Sequence, residues 1–259
     1  MKKKFIVFTD LDDTLLDKNY SPDQAMHTIK KLNKLKIPII FCSAKTKAEQ
    51  EILRKNLRIY HPFIVENGSA IYIPKKYFDK SVGNMKCKYE RIIIGIASKE
   101  IYKEINKLRK KYKIISYNNL TIKEISEITG HDIKAAKRAK MREFGETIIK
   151  ADKNALRELK KKFNVVKGGR FIQVFGKGAD KGKAVKILIN LYKKNSNQQI
   201  ISLGLGNSYN DKPMLKVVDF PIIVKNPDNT WAKLNIKNII KINDIGPKGW
   251  AKAIRKFIL

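Results

Sequence analysis

Short, unbroken apolar runs alternate with amphipathic stretches at both ends of the chain, and this alternation restricts the fold more than any other feature. Phe5-Ile6-Val7-Phe8-Thr9, Ile37-Pro38-Ile39-Ile40-Phe41-Cys42, Phe63-Ile64-Val65, Gln199-Ile200-Ile201-Ser202-Leu203, Ile222-Ile223-Val224 and Ile239-Ile240-Lys241 read as strands. A run with no polar alternation suits a strand buried on both faces, as in a parallel sheet covered by helices. Helices are expected over 21–36, 47–57 and 180–193, from about 212, and from Gly246-Pro247-Lys248-Gly249-Trp250. The order predicts an α/β fold with a doubly wound, Rossmann-like parallel sheet.

The middle of the chain has a different texture. Ala70-Ile71-Tyr72-Ile73 ends at Pro74, and strands follow near 91–95, 113–117 and 146–150. Val165-Val166 and Phe171–Phe175 predict a hairpin around Gly168-Gly169, among helices over 98–112, 122–129, 132–140 and 153–163. Long helices among antiparallel strands indicate an inserted α+β module at 82–176. The core is then built from 1–81 and 177–259. There is no internal repeat and no low-complexity linker.

Composition narrows the class. Hydrophobic residues make up 43% of 259, enough for a packed core, which excludes global disorder. No window approaches the about 20 apolar residues of a membrane span. Met1-Lys2-Lys3-Lys4 before Phe5 imitates a signal peptide, but Asp10, Asp12 and Asp13 break the apolar run at once. Two cysteines, Cys42 and Cys87, provide no disulfide framework and suit a reducing cytoplasm. The net charge is +32, from 56 basic and 24 acidic residues. Only nine of the 56 are Arg, the residue of forked phosphate and base contacts; the 47 Lys are dispersed along amphipathic segments. Dispersed Lys with Glu reads as solvated helix faces, with electrostatic steering of an anionic substrate as a further use.

Three polar clusters fall where strands end: Asp10/Asp12/Thr14, Ser43 and Asn207/Asn210/Asp211. Lys181 starts a helix nearby in the predicted order. A single strand-end Asp is an ordinary turn or cap residue, and Lys181 alone is one Lys among 47. Two aspartates two positions apart at the end of a buried strand repel each other unless a cation or a proton relieves them. A carboxylate attacks an anionic phosphate ester only where that charge is screened, which is work for Mg²⁺ and for donors on the equatorial oxygens. Ser43 and Lys181 offer such donors, and a second carboxyl protonates the leaving alkoxide.

In this order the motifs resemble those of the haloacid dehalogenase superfamily. Asp10-Leu11-Asp12-Asp13-Thr14 matches its Asp-x-Asp-x-Thr, Ser43 its second motif, Lys181 its third, and Gly206-Asn207-Ser208-Tyr209-Asn210-Asp211 its Gly-Asp-Ser-x-Asn-Asp. Further segments are similar to the mannosyl-3-phosphoglycerate phosphatase family. These are Cys42-Ser43-Ala44-Lys45-Thr46, Glu66-Asn67-Gly68-Ser69-Ala70, Arg142-Glu143-Phe144-Gly145-Glu146 and Gly168-Gly169-Arg170-Phe171. The resemblance implies Asp10 as nucleophile, Asp12 as general acid and then base, and Ser43 and Lys181 as phosphoryl ligands. It implies Mg²⁺ on Asp10, Asp12, Asn207 and Asp211, and a cap inserted between the second and third motifs. Substrate contacts are expected from Thr14, Lys45, Asn67, Arg142, Glu143, Glu146, Arg170 and Asn210.

The sequence departs from the family pattern in places. Asn207 stands where the fourth motif has Asp, and Gly145 and Thr147 stand where the cap motif has Ser and Pro. Asp13 occupies a common Gly position and is expected to face solvent. Arg142 and Arg170 read either as surface charges or as bidentate partners of a glycerate carboxylate. Glu66-Asn67-Gly68 reads equally as a plain turn. His27, His61 and His131 lack metal-ligand spacing and are expected to be structural, as are Trp231, Trp250 and Cys42. The expected function is Mg²⁺-dependent hydrolysis of mannosyl-3-phosphoglycerate or a related glycosyl phosphoglycerate, a small anionic ester. The expectation includes no membrane and no specific nucleic acid as partners. Two alternatives remain at this level: a phosphatase of simpler sugar phosphates, and a basic nucleic-acid-binding protein on a degenerate scaffold.

Overall fold

The computed structural model describes residues 3–79, 83–86, 88–168 and 170–259. Met1, Lys2, Cys87, Gly169 and the expected boundary at 81/82 lie outside these residues.

Five strands form a parallel sheet: β1 (Lys3–Thr9), β2 (Ile39–Phe41), β11 (Gln199–Gly206), β12 (Phe220–Lys225) and β13 (Ile240–Ile245), in the order β13-β12-β11-β1-β2. The two faces of β1 explain its unbroken apolar sequence. Val7 belongs to one buried cluster with Ile29 and Leu32 of α1 (Met26–Lys34) and Trp250 and Ile254 of α9 (Gly246–Phe257). Ile6 and Phe8 belong to the other, with Val185 and Leu188 of α7 (Lys181–Lys194). Both faces of the strand are covered, so no position favours a polar residue. The Trp250 indole also donates to Thr9 Oγ1 at 3.1 Å, tying α9 to the end of β1.

A second sheet is antiparallel, in the order β3-β4-β6-β5: β3 (Phe63–Val65), β4 (Ala70–Pro74), β6 (Tyr89–Ile93) and β5 (Asn84–Lys86). One parallel bridge, Cys42 with Ile64, links β3 to the end of β2. This sheet crosses the expected boundary, since β6 follows it in sequence yet pairs with β4 along Ala70–Pro74.

The third sheet, order β7-β8-β10-β9, comprises β7 (Ile114–Ser116), β8 (Gly145–Ala151), β10 (Phe171–Gly176) and β9 (Phe163–Gly168), all antiparallel. One of its faces packs on α3 (Ser98–Arg109) and α6 (Lys153–Lys162) through Ile101, Ile105, Ile148, Ala155, Leu159 and Val174. Alternate residues of β8 and β10, such as Thr147 and Gln173, lie on the opposite face. That face borders the cavity described below. The short helices α4 (Ile122–Thr129) and α5 (Ile133–Lys140) form a small cluster of their own around Ile125 and Ala136.

Candidate active site

Asp10 follows directly after β1, and its backbone N–H donates to Leu205 O of β11 at 2.9 Å. The acidic loop therefore sits at the carboxyl ends of two adjacent parallel strands, where α/β sheets bind ligands. Lys181 is the first residue of α7, a helix capped by the Asp180 side chain, which accepts from Lys183 N at 2.7 Å. The Lys181 ammonium donates to Asp10 Oδ1 at 2.8 Å and to Asp211 Oδ1 at 2.6 Å. Gly68 fixes the approach of this helix: its φ is +90°, and a Cβ there would lie 2.1 Å from Asp180 O.

All three charges are buried. Burial, and then repulsion from Asp211, push the Asp10 carboxyl well above the usual carboxylate range, against the pull of Lys181. Burial disfavours the Lys181 ammonium, but Asp10 and Asp211 together outweigh it and hold the proton more tightly. Asp211 Oδ2 accepts from the backbone N–H groups of Asn207 and Ser208, at 3.0 Å each. Its two oxygens thus hold Lys181 and the fourth-motif loop.

A cavity of about 440 Å³ opens between this cluster and the third sheet. Asp10, Asp12, Ser43, Lys45, Asn207 and Asn210 line it from the core; Arg142 and Arg170 line it from the inserted segment. The Lys45 ammonium is 3.0 Å from Asp12 Oδ1 and 3.6 Å from Glu49. Burial lowers the Lys45 pKa, but these two carboxylates reverse the shift. Thr14, fully buried, donates from its hydroxyl to Asn207 Oδ1 at 3.0 Å. Asn67 and Lys181 face a second, smaller cavity of about 250 Å³, which shares Asn210 with the first.

Several placements depart from the sequence expectation. Asp211 does not line the main cavity; it faces Lys181 and two backbone amides instead. Glu143 is also set apart, its carboxylate accepting from the Tyr72 hydroxyl at 2.8 Å and from Arg91 at 3.3 Å. Glu146 is buried and accepts from Thr147 N at 2.9 Å. Burial raises its carboxyl to about 7, offset in part by Arg142 and by backbone N–H groups of Thr147 and Asn118. Arg142 lines the cavity, yet its donors go to Ala44 O and Thr147 Oγ1, with Glu66 Oε2 3.5 Å away. Arg170 is exposed and gives two donors to Thr129 O and Ile128 O. Asp13, half-buried and with φ +55°, also lines the cavity.

Sequence reasoning missed an aromatic wall. Tyr20, from the loop after the acidic motif, meets His131 across the cavity mouth with ring centroids 4.7 Å apart. The Lys45 ammonium lies 4.8 Å from the Tyr20 ring centroid. Tyr117, Phe171 and Gln173 also line the space. The alternation along Phe171-Ile172-Gln173 was the available signal, since Ile172 packs against the third sheet's core.

A sequence profile described as haloacid dehalogenase-like hydrolase matches residues 7–254. The chain belongs to the haloacid dehalogenase-like hydrolase family. It is 37% identical to a glucosyl-3-phosphoglycerate/mannosyl-3-phosphoglycerate phosphatase of Persephonella marina, over 98% of this chain and 97% of that protein. It is 41% identical to a mannosyl-3-phosphoglycerate phosphatase of Pyrococcus horikoshii, over 93% and 98%. A crystal structure from Thermoplasma acidophilum shares the fold with a TM-score of 0.72 at 16% identity, covering 99% of both chains.

Phosphatases of the haloacid dehalogenase family generally use Mg²⁺. Among the described residues no group of three or more His, Cys, Asp or Glu side chains is placed to hold a metal ion. Five carboxylates line the cavity, from Asp10, Asp12, Asp13, Asp17 and Glu49; Asp10 and Asp12 after β1 and Asn207 after β11 are the oxygen-bearing residues nearest the strand ends. An all-oxygen set supplemented by water suits a hard divalent cation. The raised pKa of Asp10 marks a buried carboxylate short of positive charge, so the residues present fit the ion.

Proposed function

We propose that the protein is a phosphatase of glycosyl-3-phosphoglycerates, mannosyl-3-phosphoglycerate or its glucosyl counterpart, releasing glycosylglycerate and inorganic phosphate. The observation that carries this reading is the buried Asp10 in a cavity that the inserted segment lines with the exposed Arg170. A nucleophilic carboxylate faces the site of a phosphoryl group, and the Arg170 cation faces the site of a second anionic group. The names of the relatives supply the class of ester.

In this reading the Asp10 carboxylate attacks phosphorus and the bond to the glycerate oxygen breaks. Asp12, held toward the cavity by Lys45, gives its proton to the departing alkoxide. Asp12 then takes a proton from water, whose oxygen attacks the aspartyl phosphate and restores Asp10. Ser43, Lys181 and Asn210 supply donors to the equatorial oxygens. Asp10, the Asp12 backbone carbonyl and Asn207 would hold Mg²⁺, which lowers the repulsion between carboxylate and ester. Asp211 keeps Lys181 in place rather than joining the ligand set.

The segments 1–81 and 177–259 serve as the catalytic core and 82–176 as the cap, with β5 and β6 anchored on the core side through β4. The cytoplasm is the compartment we infer, from the unpaired buried thiol of Cys42. Among the described residues no helix is long and apolar enough to cross a membrane. Phosphate release with Mg²⁺ from a panel of esters tests the function. Preferential turnover of glycosyl phosphoglycerates is expected; preference for simple sugar phosphates overturns the substrate assignment.

A further inference from the structure

Three consecutive carbonyls of the Ser43-Ala44-Lys45 loop are each claimed by a different donor. Ser43 O accepts from Asn67 N at 3.0 Å, and Lys45 O from Glu66 N at 3.2 Å and Gln50 Nε2 at 3.1 Å. All of these donors belong to the core. Ala44 O, between them, accepts from Arg142 Nη1 and Nη2 at 3.2 and 3.1 Å. Arg142 comes from the inserted segment, 98 residues away. The reverse grip is present too. The Glu66 carboxylate, from the core turn, accepts from Glu143 N at 2.8 Å and Phe144 N at 3.1 Å. Glu66 and Arg142 face each other at 3.5 Å, with side-chain exposures of 1% and 8%.

The Glu66-Asn67 turn is itself held in an uncommon shape, with φ of +48° and +59° at successive non-glycine residues. Such a conformation persists where surroundings over-determine it, and it is often tied to function. Gly145 makes room for the grip: a Cβ there would lie 3.1 Å from Glu66 Oε2. The loop so held carries Ser43 and, one residue past Ala44, the Lys45 ammonium that meets Asp12.

We propose that Arg142 and Glu66 form a reciprocal clamp through which the seated cap shapes the Ser43–Lys45 loop, so that Arg142 is a positioning residue for phosphoryl transfer and not a reader of the substrate's carboxylate. This rests on the phosphatase reading above. With its donors committed to Ala44 O and Thr147 Oγ1, the guanidinium has no forked face to offer a carboxylate. What it fixes is the loop that every phosphate ester must meet. A displacement of that loop by about 1 Å is enough to slow chemistry by about 100-fold.

The test compares Arg142→Ala and Arg142→Lys with the unmodified protein on p-nitrophenyl phosphate and on mannosyl-3-phosphoglycerate, with Mg²⁺ saturating. The expected result is a fall in kcat by the same factor on both esters, of order 10- to 100-fold, with the ratio of their KM values unchanged. Arg142 borders the cavity, so its removal leaves a space open to small cations. Guanidinium ion added at low millimolar concentration is expected to restore part of the kcat of Arg142→Ala on both esters. A loss confined to mannosyl-3-phosphoglycerate and expressed in KM overturns the proposal, and so does unchanged kcat on both. If Arg142→Ala does not fold, Arg142→Lys decides, because one ammonium can replace only part of the fork on Ala44 O. An unmodified protein that hydrolyses neither ester refutes the phosphatase reading instead.

Discussion

Lys181 Nζ lies 2.8 Å from Asp10 Oδ1, joining the first residue of a helix to the end of a strand 171 positions earlier in the chain. The same ammonium lies 2.6 Å from Asp211, so one cation serves two buried carboxylates. Two carboxylates against one ammonium leave the cluster one positive charge short of neutrality. Asp10 feels that deficit most, being both buried and repelled by Asp211. A site built this way holds the Asp10 carboxylate in a state that an added cation stabilises.

Replacement of Asp10, the proposed nucleophile, tests this arrangement directly. In Asp10→Asn the amide oxygen can still accept from Lys181, but the side chain cannot attack phosphorus. Phosphate release is expected to fall below about one-thousandth of the original rate. The thermal midpoint at pH 8 should be unchanged or higher, because a repelled, buried charge is removed. Substantial residual turnover in the pure variant would remove Asp10 from the role.

Much of this was legible in sequence, for a physical reason. Asp10, Ser43 and Asn207 come just after apolar runs and Asp12 two residues beyond Asp10, so parallel strand order alone brings them to the carboxyl end of the sheet. Arg142 was recognisable as a candidate but not as a clamp, because its partner Ala44 O is a backbone atom that leaves no mark in sequence. Glu143 and Glu146 look like hydroxyl acceptors when read as a motif. The partner of Glu143, the Tyr72 hydroxyl, is fixed only by how the inserted segment packs on β4, and Glu146 turns back to the amide of its own neighbour, Thr147. Tyr20 and His131 were invisible as a pair, since their contact spans two loops with no periodicity.

Glu146 makes stability depend on pH in a predictable direction. Its folded pKa, about 7, lies above the usual 4.5 because burial penalises the charge. Stability from this group is therefore complete below about pH 4.5 and is lost as pH rises through 7. Glu146→Gln removes the penalty. Urea unfolding is expected to show little difference between variant and parent at pH 5, and a gain for the variant at pH 8. The gain should approach about 3 kcal/mol at most. Equal effects at the two pH values would mean that Glu146 does not titrate as its burial implies.

On the proposed reading, Asn207 tunes the demand for metal. Its Oδ1 accepts from Thr14, and its Nδ2 donates to Asn226 Oδ1 at 2.7 Å, so the amide is held in one orientation in a residue that lines the cavity. A neutral donor attracts a divalent cation less than a carboxylate does, most of all where screening is incomplete. Asn207→Asp is expected to lower the Mg²⁺ concentration for half-maximal activity several-fold, once the Asn226 amide turns to donate. A requirement that stays the same or rises would show that this side chain does not touch the ion.

Arg170 is the remaining candidate for the substrate's carboxylate. It lines the same cavity as Arg142 but from an exposed position, with Nη1 on Thr129 O and Nη2 on Ile128 O. Those two carbonyls orient the guanidinium without neutralising it, since neither carries a formal charge. The Phe171 ring centroid lies 5.4 Å from the guanidinium carbon. A charged hydrogen bond lost on truncation costs about 2–5 kcal/mol when it is desolvated, and an exposed position places the effect at the lower end. Arg170→Ala should therefore raise KM for mannosyl-3-phosphoglycerate by about 10- to 30-fold while shifting kcat far less. On p-nitrophenyl phosphate, which has no second anion, the loss should be much smaller, so the ratio of kcat/KM between the two esters falls. Arg142→Ala is expected to leave that ratio where it was. If the two arginine variants behave alike on both esters, Arg170 belongs to the scaffold and carboxylate recognition lies with another cation of the cavity, of which Lys18 is the first to test.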